Sequence, residues 1–387
     1  MDLSQADSTR LRRRYRAEKR FKAYCIAALA MSVLFLVVFF ADMISQGYPA
    51  FVQAEVRAEV TFSEQTMEIP PLSVPEAFRP LVSRGELRLL PEYARNNPTV
   101  MGTTETRWLL AKADIDQYLK GKDVNLPEDV RRTVDRLYEQ GQLELNFNTY
   151  FFANGDSKLP ELSGIFAALM GSVAVLALTL AFSFPIGVMT AIYLEEFARD
   201  NRFTQAIEVN INNLAAVPSI LFGLLGLAVF INFFGVPRSS VLAGGLTLGL
   251  MTLPIIIIST RAALRAVPDP IRLGAFAMGC SRWQVVRDHV LPVSLPGILT
   301  GTIIGLAQAM GETAPLLIIG MIAYIPEAPS GIADAATVLP AQIYTWAGMP
   351  DRAYVERTAA GILLLLAVLI SMNAIAVYLR KRFERRW

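Results

Sequence analysis

The chain has 387 residues, 53% of them hydrophobic and 18% charged, with a formal net charge of +2 and a mean hydropathy of +0.40. Soluble domains average about 25% charged residues, so this composition excludes a disordered chain. Its unevenness excludes one uniform soluble domain: residues 44–163 hold 13 Lys/Arg and 18 Asp/Glu, 31 of the 70 charges. The pattern is that of a membrane protein with a soluble insert.

In chain order, residues 1–22 form a basic tail, with Arg10, Arg12, Arg13, Arg14, Arg16, Lys19, Arg20 and Lys22 against three acids. Ala23–Met43 is an apolar stretch long enough to span a bilayer. It is longer than a signal-peptide core, and no small-residue cleavage site follows Phe40-Ala41-Asp42-Met43, so a retained anchor is expected. The insert at 44–163 reads as a small α+β unit. Ala54–Phe62 alternates like a half-buried strand, Glu105–Leu119 reads as a helix capped by Thr103 or Thr104, and Glu128–Gln140 as a helix closed by Gly141. Leu143, Leu145 and Phe147 alternate again. With no His, no Cys and scattered acids the insert carries no catalytic constellation. It reads as a solvated spacer or cap, with a docking surface for an exported partner as the alternative.

Five further apolar stretches follow, at Ile165–Ile192, Leu214–Phe234, Ser239–Thr260, Leu295–Ile322 and Ala359–Leu379. Of these only Leu295–Ile322 holds a charge, Glu312. Both ends of the chain are basic, including the tail at 381–387, so both termini are expected in the cytoplasm, which an even number of spans satisfies. The segment 261–293, with five Arg against two Asp, then faces the cytoplasm; the segment 193–213, with two Arg against four acids, runs against the rule. Cys25 and Cys280 cannot pair across a membrane, and His289 is the sole His, so no metal site or cofactor is expected. There is no nucleotide-binding G-x-x-x-x-G-K-[ST] loop, because Gly121-Lys122 runs on to Asp123. Any uphill transport must draw energy from a partner or a gradient.

Residues 261–293 read as two short helices. Pro268 and Pro270 suit a first turn, Gly279 suits a helix end with positive φ, and Ser281 can cap the next helix. Pro292 and Pro296 are expected to break the chain before the fifth span. Such a hairpin fits a groove on another protein, or equally lies on the anionic bilayer surface. It also resembles the docking loop of bacterial ABC-importer permeases, E-A-A-x-x-x-G-x(9)-I-x-L-P. Aligned on Gly279 it keeps Ala275, Gly279, Leu291 and Pro292, whereas Leu273 replaces the Glu, Gly274 the first Ala and His289 the Ile. The string Gly311-Glu312-Thr313-Ala314-Pro315-Leu316-Leu317, with Ala191–Glu196 and Val217–Leu224, is similar to the PstA family of phosphate ABC transporter permeases, over about 165–380.

The resemblance implies an α-helical polytopic membrane protein of the bacterial inner membrane, with six transmembrane helices of ABC-importer permease type and a small α+β periplasmic insert between helices 1 and 2. The permease domain would run over 164–380. The implied partners are a second, PstC-like permease, two PstB-like ATPase subunits docked under 261–293, and a periplasmic PstS-like phosphate-binding protein; membrane lipid is a further contact and nucleic acid is not. The docking residues would be Arg272, Ala275, Gly279, Arg282, Leu291 and Pro292. For the substrate path the candidates are Glu312, Gln308, Thr313 and Ser219. A charge inside a span is costly and functional by default. Glu312 either pairs with an Arg across the permease interface or accepts a hydrogen bond from protonated phosphate; the structural alternative is a packing or capping acid. Gln308 is expected one turn from Glu312 on the same helix face. Gly297, Gly301 and Gly305, and likewise Gly245 and Gly249, read as helix-packing positions. The rival functions are a permease for molybdate or sulfate, a gradient-driven carrier using Glu312, and a membrane sensor.

Overall fold

The computed structural model describes residues 3–322 and 324–383. Helix α1 (Leu3–Gly47) carries the basic tail and the first apolar stretch as one continuous rod. Its far end is held close to the last helix: a Cβ on Gly47 would lie 2.8 Å from Leu363 and 2.9 Å from the Ala360 backbone nitrogen.

A single 3-10 turn at Tyr48–Phe51 leads into the insert. There β1 (Val52–Thr61), α2 (Arg84–Asn96), β2 (Thr104–Leu110), α3 (Ala113–Leu119), α4 (Glu128–Glu139) and β3 (Leu143–Phe147) follow in order. The sheet order is β2-β1-β3, antiparallel throughout, with Val56 opposite Leu109 on one side and Leu143 on the other. The period of two in β1 buries Ala54, Val56, Ala58 and Val60 while Arg57 and Glu59 face out. That apolar row packs with Leu87 and Leu90 of α2, Ile115 of α3 and Val134 and Leu137 of α4 to make an independent core.

The expected helix at Glu105–Leu119 is a strand followed by a short helix. Thr104–Leu110 pairs with β1 in seven-residue register, and only Ala113–Leu119 is helical. The threonines and Trp108 suit a pleated strand, and pairing with the central strand, whose one face is buried, overrides the weak helical periodicity.

The membrane part contains α5 (Phe166–Ile192), α6 (Arg202–Ala215), α7 (Ser219–Leu225), α8 (Val241–Arg265), α9 (Asp269–Ala277), α10 (Leu291–Gly311), α11 (Ala314–Ile318), α12 (Leu339–Ala347) and α13 (Ala353–Phe383). Helices built on α1, α5, α8, α10 and α13 are long and apolar enough to cross a membrane, and the bent pair α6 with α7 makes up to a sixth span. Helix α8 is the hub, because small residues let its neighbours approach closely. Its Gly245 and Gly249 receive Leu178 and Phe182 of α5, each 2.6 Å from where a Cβ would stand. On another face Gly297 of α10 packs on Ala263, and Gly301 of α10 packs on Ser259.

Pro292 and Pro296 do not interrupt α10. Pro292 sits in its first turn, where no backbone donor is needed, and Pro296 lies inside it. The preceding turn, Val285–Val290, is a π-helix, and the Leu291 N–H reaches back to the Val286 carbonyl. The wider turn shifts the Asp288 carbonyl that Pro292 would otherwise strike, so the rod runs on.

The insert is fastened to the start of α13 by a buried polar clamp. Lys120 bridges Asp116 at 2.6 Å and Glu356 at 3.1 Å, with all three side chains under 10% exposed. Asp116 also accepts from the Ala54 N–H at 2.8 Å. Glu161, at the entrance to α5, accepts from Ser83 through its carboxylate and from Gln53 through its carbonyl at 2.6 Å. Arg357 donates to the Ser163 carbonyl at 3.0 Å, and Trp346 Nε1 to Asp156 at 2.9 Å. A void of about 10 Å³ among these groups is near the minimum for one water. Removing one member of a buried ion cluster strands the others, at about 3–5 kcal/mol. Lys120→Met is therefore expected to lower the thermal unfolding midpoint of the purified protein clearly below that of Lys122→Met on the exposed surface; equal midpoints would show that the clamp contributes nothing to stability.

Candidate functional site

Two of the membrane elements are broken, and the breaks carry the candidate path residues. Helix α10 ends at Gly311, and Glu312 leaves the helix with φ −80° and ψ 118°. Thr313 then precedes α11, with Pro315 in the first turn of that helix. Proline has no N–H and collides with the carbonyl four residues back, which here belongs to Gly311, the last helical residue. The second break separates α6 from α7. Pro218 is extended at φ −55° and ψ 137°, and the two helices diverge by 107°. Ser219 opens α7, which continues as a π-helix over Gly226–Phe233.

These findings correct one expectation. The stretches Leu214–Phe234 and Leu295–Ile322 are each interrupted. Glu312 is not a mid-helix charge, and since it lies beyond the last helical turn it does not share a helix face with Gln308. Glu312 and Thr313 are half-buried and Gln308 is exposed. Among the described residues Glu312 forms no ion pair or side-chain hydrogen bond within the chain. The two broken elements do meet: a Cβ on Gly223 of α7 would stand 2.6 Å from Pro315 Cα.

Helix α10 presents one uncovered stripe. Ile304, Gln308 and Gly311 are exposed, while Gly301, Gly305 and Ala309 are buried. Spacings of four and three residues keep the exposed positions on one helical face. A glutamine amide facing hydrocarbon is costly, so this stripe suits an aqueous path or another protein chain rather than lipid.

At the opposite end of α5 and α8 stands the helical hairpin that precedes α10. Helix α9 ends in an αL turn, with Gly279 at φ +84° and the Cys280 N–H bonded to the Ala275 carbonyl. Ser281 and Gln284 then form a reciprocal capping box for the turn Arg282–Gln284. Ala275, Val285 and Val290 are buried with Leu264 and Val267, which seats the hairpin on the end of α8. Ala275, Gly279, Leu291 and Pro292 thus shape the hairpin itself.

One ion pair ties the hairpin down, and two arginines of α8 extend the network. Arg272 pairs with Glu196 at 2.8 Å and donates to the carbonyls of Val267 at 2.6 Å and Leu264 at 2.8 Å. Its side chain is 18% exposed and fully engaged within the chain, so Arg272 is a fastening and not an outward contact. Arg261 joins Glu195 at 3.3 Å and Glu208 at 2.6 Å, and Arg265 joins Glu195 at 2.8 Å. Three of the four acids of 193–213 that run against the charge rule are the partners of these arginines.

What the hairpin offers outward is mostly apolar. Leu273 is 66% exposed, Phe276 44%, Met278 74% and Trp283 56%, with Arg282 beside them. Sequence reasoning favoured the arginines and passed over these four. The available signal was four large apolar residues in a short polar-flanked hairpin, more than its small core can bury.

The sequence pattern of the family described as binding-protein-dependent transport system inner membrane component matches residues 183–385. A domain of unknown function matches residues 8–77. The phosphate transport system permease protein PstA 1 of Mycobacterium tuberculosis is 31% identical over 230 residues, 59% of this chain and 75% of the relative. The phosphate transport system permease protein PstA of Haemophilus influenzae is 30% identical over 226 residues, 58% of this chain and 78% of the relative. Among solved structures, an inward-facing MetNI methionine ABC transporter covers 57% of this chain and 98% of its own, at 19% identity and a TM-score of 0.44.

The fastening role of Arg272 is separable from a surface role. Arg272→Glu sets a carboxylate against Glu196 and is expected to destabilise by about 3 kcal/mol, the low end for a buried pair broken at one partner. Arg282→Glu, on the exposed rim, should stay within about 0.5 kcal/mol. Thermal unfolding of the two variants side by side checks this, and a melting point for Arg272→Glu equal to that of Arg282→Glu would reject the fastening.

Proposed function

The chain belongs to the family of binding-protein-dependent transport system inner membrane components, and we propose that it is a membrane-spanning permease subunit of an ATP-driven inorganic phosphate importer. The observation that carries the substrate is the 31% identity over 230 residues to a phosphate transport permease. The Gly311–Leu317 string lies at the break between α10 and α11, where a path residue would be needed.

In this reading the hairpin 266–290 faces the cytoplasm, with both termini, and the insert faces outward. Partner ATPase subunits close on ATP and move the hairpin. Its apolar knob, Leu273, Phe276, Met278 and Trp283, supplies the contact, which accounts for the leucine where related loops carry a glutamate. Arg272 passes the displacement through Glu196 to the end of α5, and Arg261 and Arg265 of α8 share it with α6 through Glu195 and Glu208. A second permease covers the Ile304–Gly311 stripe of α10, and phosphate passes between the two chains. An exported binding protein delivers the anion.

Glu312 does not bind phosphate as a cation would. At a helix break it can hold an arginine from the companion permease, or accept the proton of a monohydrogen or dihydrogen phosphate, which sulfate lacks at neutral pH. Gln308 and Thr313 add uncharged hydrogen-bonding groups, and Ser219 stands at the start of the facing broken element. The acid and the hydroxyls together favour a protonated oxyanion.

Uptake into vesicles holding the complete transporter tests the substrate: phosphate should enter in an ATP-dependent way, and inhibition by molybdate but not by unlabelled phosphate would overturn the assignment. Glu312→Gln is expected to assemble normally and to lose roughly tenfold or more in phosphate uptake, the effect of about 1.4 kcal/mol; unimpaired uptake would make Glu312 a packing residue. Trp283→Ala with Met278→Ala should weaken co-purification with the ATPase by about thirtyfold if these are buried anchors worth about 2 kcal/mol. Undiminished recovery of the ATPase would place its contact elsewhere.

A further inference from the structure

The insert carries a basic groove that the transport reading does not use. Pro70, Pro71 and Pro80 form its walls, Leu87 contributes to its lining, and Arg79, Arg84, Arg88 and Lys112 line it, enclosing about 640 Å³. That volume is in the range of small-molecule sites. Four cations from three separate segments converge there and no acid lines it, although the insert as a whole has 13 Lys/Arg against 18 Asp/Glu. Among the described residues none of the four forms an ion pair with a carboxylate.

The arrangement opposes what the chain alone would favour. Arg84 and Arg88 are four residues apart on α2, a like-charge spacing that weakens a helix. Arg84 is also the first residue of that helix, where the helix dipole disfavours a cation. Burial, and after it the like charge of Arg84, push the Lys112 ammonium below its ordinary value, with Asp114 and Glu161 opposing in part. The backbone that carries the cations is nonetheless held in place, and one of the side chains with it. Arg79 donates through Nε to the Val74 carbonyl at 3.1 Å, which leaves its terminal nitrogens available. Gly85 packs so tightly on Leu159 and Leu162 that a Cβ there would collide with both, which fixes the start of α2 against the segment leading into α5. Three prolines stiffen the remaining wall.

We propose that this groove binds a phosphate-class oxyanion on the outer side of the membrane. Guanidinium groups match the planar, bidentate geometry of phosphate oxygens, and two arginines with a lysine offset a charge near −2. The groove exceeds a bare phosphate and has room for an organic substituent, so the same site accepts a free phosphate or the head of an anionic phospholipid. The helix-start cations then have the partner that the protein itself does not provide.

The test uses the full chain in nanodiscs. In neutral phosphatidylcholine discs the probe is inorganic phosphate, followed by equilibrium dialysis. In discs containing phosphatidylglycerol the probe is retained lipid, read by native mass spectrometry. Arg84→Gln with Arg88→Gln is compared with Arg95→Gln at the far end of α2, and all are made in a Glu312→Gln background so that any membrane path is common to every sample. The expected result is phosphate binding at least tenfold weaker in the double variant and unchanged in Arg95→Gln. Loss of phosphatidylglycerol retention without a change in phosphate binding supports the same site with a lipid-borne phosphate. If neither probe distinguishes the double variant from Arg95→Gln, the proposal is wrong. Should the double variant fail to fold, Arg88→Gln alone, on an exposed face, makes the same comparison with a severalfold loss expected.

Discussion

The structure depends on the ion pairs that join Glu195, Glu196 and Glu208 to Arg261, Arg265 and Arg272. Without the Arg272–Glu196 pair the hairpin at 266–290 would rest on a small apolar patch of Leu264, Val267, Ala275, Val285 and Val290, and without Arg261 and Arg265 helix α8 would lose its ionic ties to α6 and the end of α5. Apolar contact is non-directional and tolerates sliding. Guanidinium–carboxylate pairs fix direction, and Arg272 adds two backbone carbonyls that terminate α8 and the following turn. The pairs differ in weight. Arg265 is 61% exposed and screened by water, so its bond to Glu195 contributes little. Arg261 and Arg272 are mostly covered, and their loss would leave Glu196 and Glu208 without partners. A push on the hairpin therefore reaches α5, α6 and α8 together.

The same economy governs the breaks in the spans. In lipid every backbone group must be satisfied within the protein, and irregular backbone survives only where it is buried or lines water. The stretch Glu312–Thr313 and the stretch Ala216–Pro218 are both irregular, and the helices that follow them pack on each other through Gly223 and Pro315. A residue larger than glycine at 223 would part the two segments. The glycines of α8 and α10 serve a different end: they draw continuous helices close enough to form a rigid block beside the broken elements. The bundle thus divides into a stiff half, α5, α8 and α10, and an interrupted half, α7 and α11, where a path can form.

Much of this was legible in the sequence. The apolar runs located the spans, Gly279 and Ser281 located the hairpin turn and its cap, and the four-residue glycine spacing located the packing face of α10. These are signals that a local rule decides. Where tertiary context decides, the sequence misled. Thr104–Leu110 is a strand because β1 needs a partner on that side, which no window within 105–119 records. Pro292 is tolerated because a π-turn precedes α10, and Pro296 lies inside the same helix, whereas Pro315 follows its end; a proline alone does not distinguish the cases. Arg272 looked like an outward contact because charge was counted per loop, while its partner Glu196 lies 76 residues earlier in the chain. The acidic excess in 193–213 and the basic excess in 261–293 are one feature read in two halves.

The insert gains its meaning from the clamp. A spacer on a flexible tether would need no buried lysine between two acids, and such a cluster is poor value for stability alone, since apolar residues of similar volume often do as well. What a charged, hydrogen-bonded cluster does supply is orientation: Lys120 has one position that serves both Asp116 and Glu356, and Trp346, Tyr354 and Arg357 each reach one particular acceptor in 156–163. The insert is consequently set at a fixed angle on α13 and at the entrance to α5. Helix α5 carries this fastening at one end and the Glu195–Glu196 fastening at the other, about 40 Å away for a helix of 27 residues. Whatever docks or binds on the insert and whatever moves the hairpin therefore act on the two ends of one helix, which is the mechanical condition for an event at one end to be felt at the other.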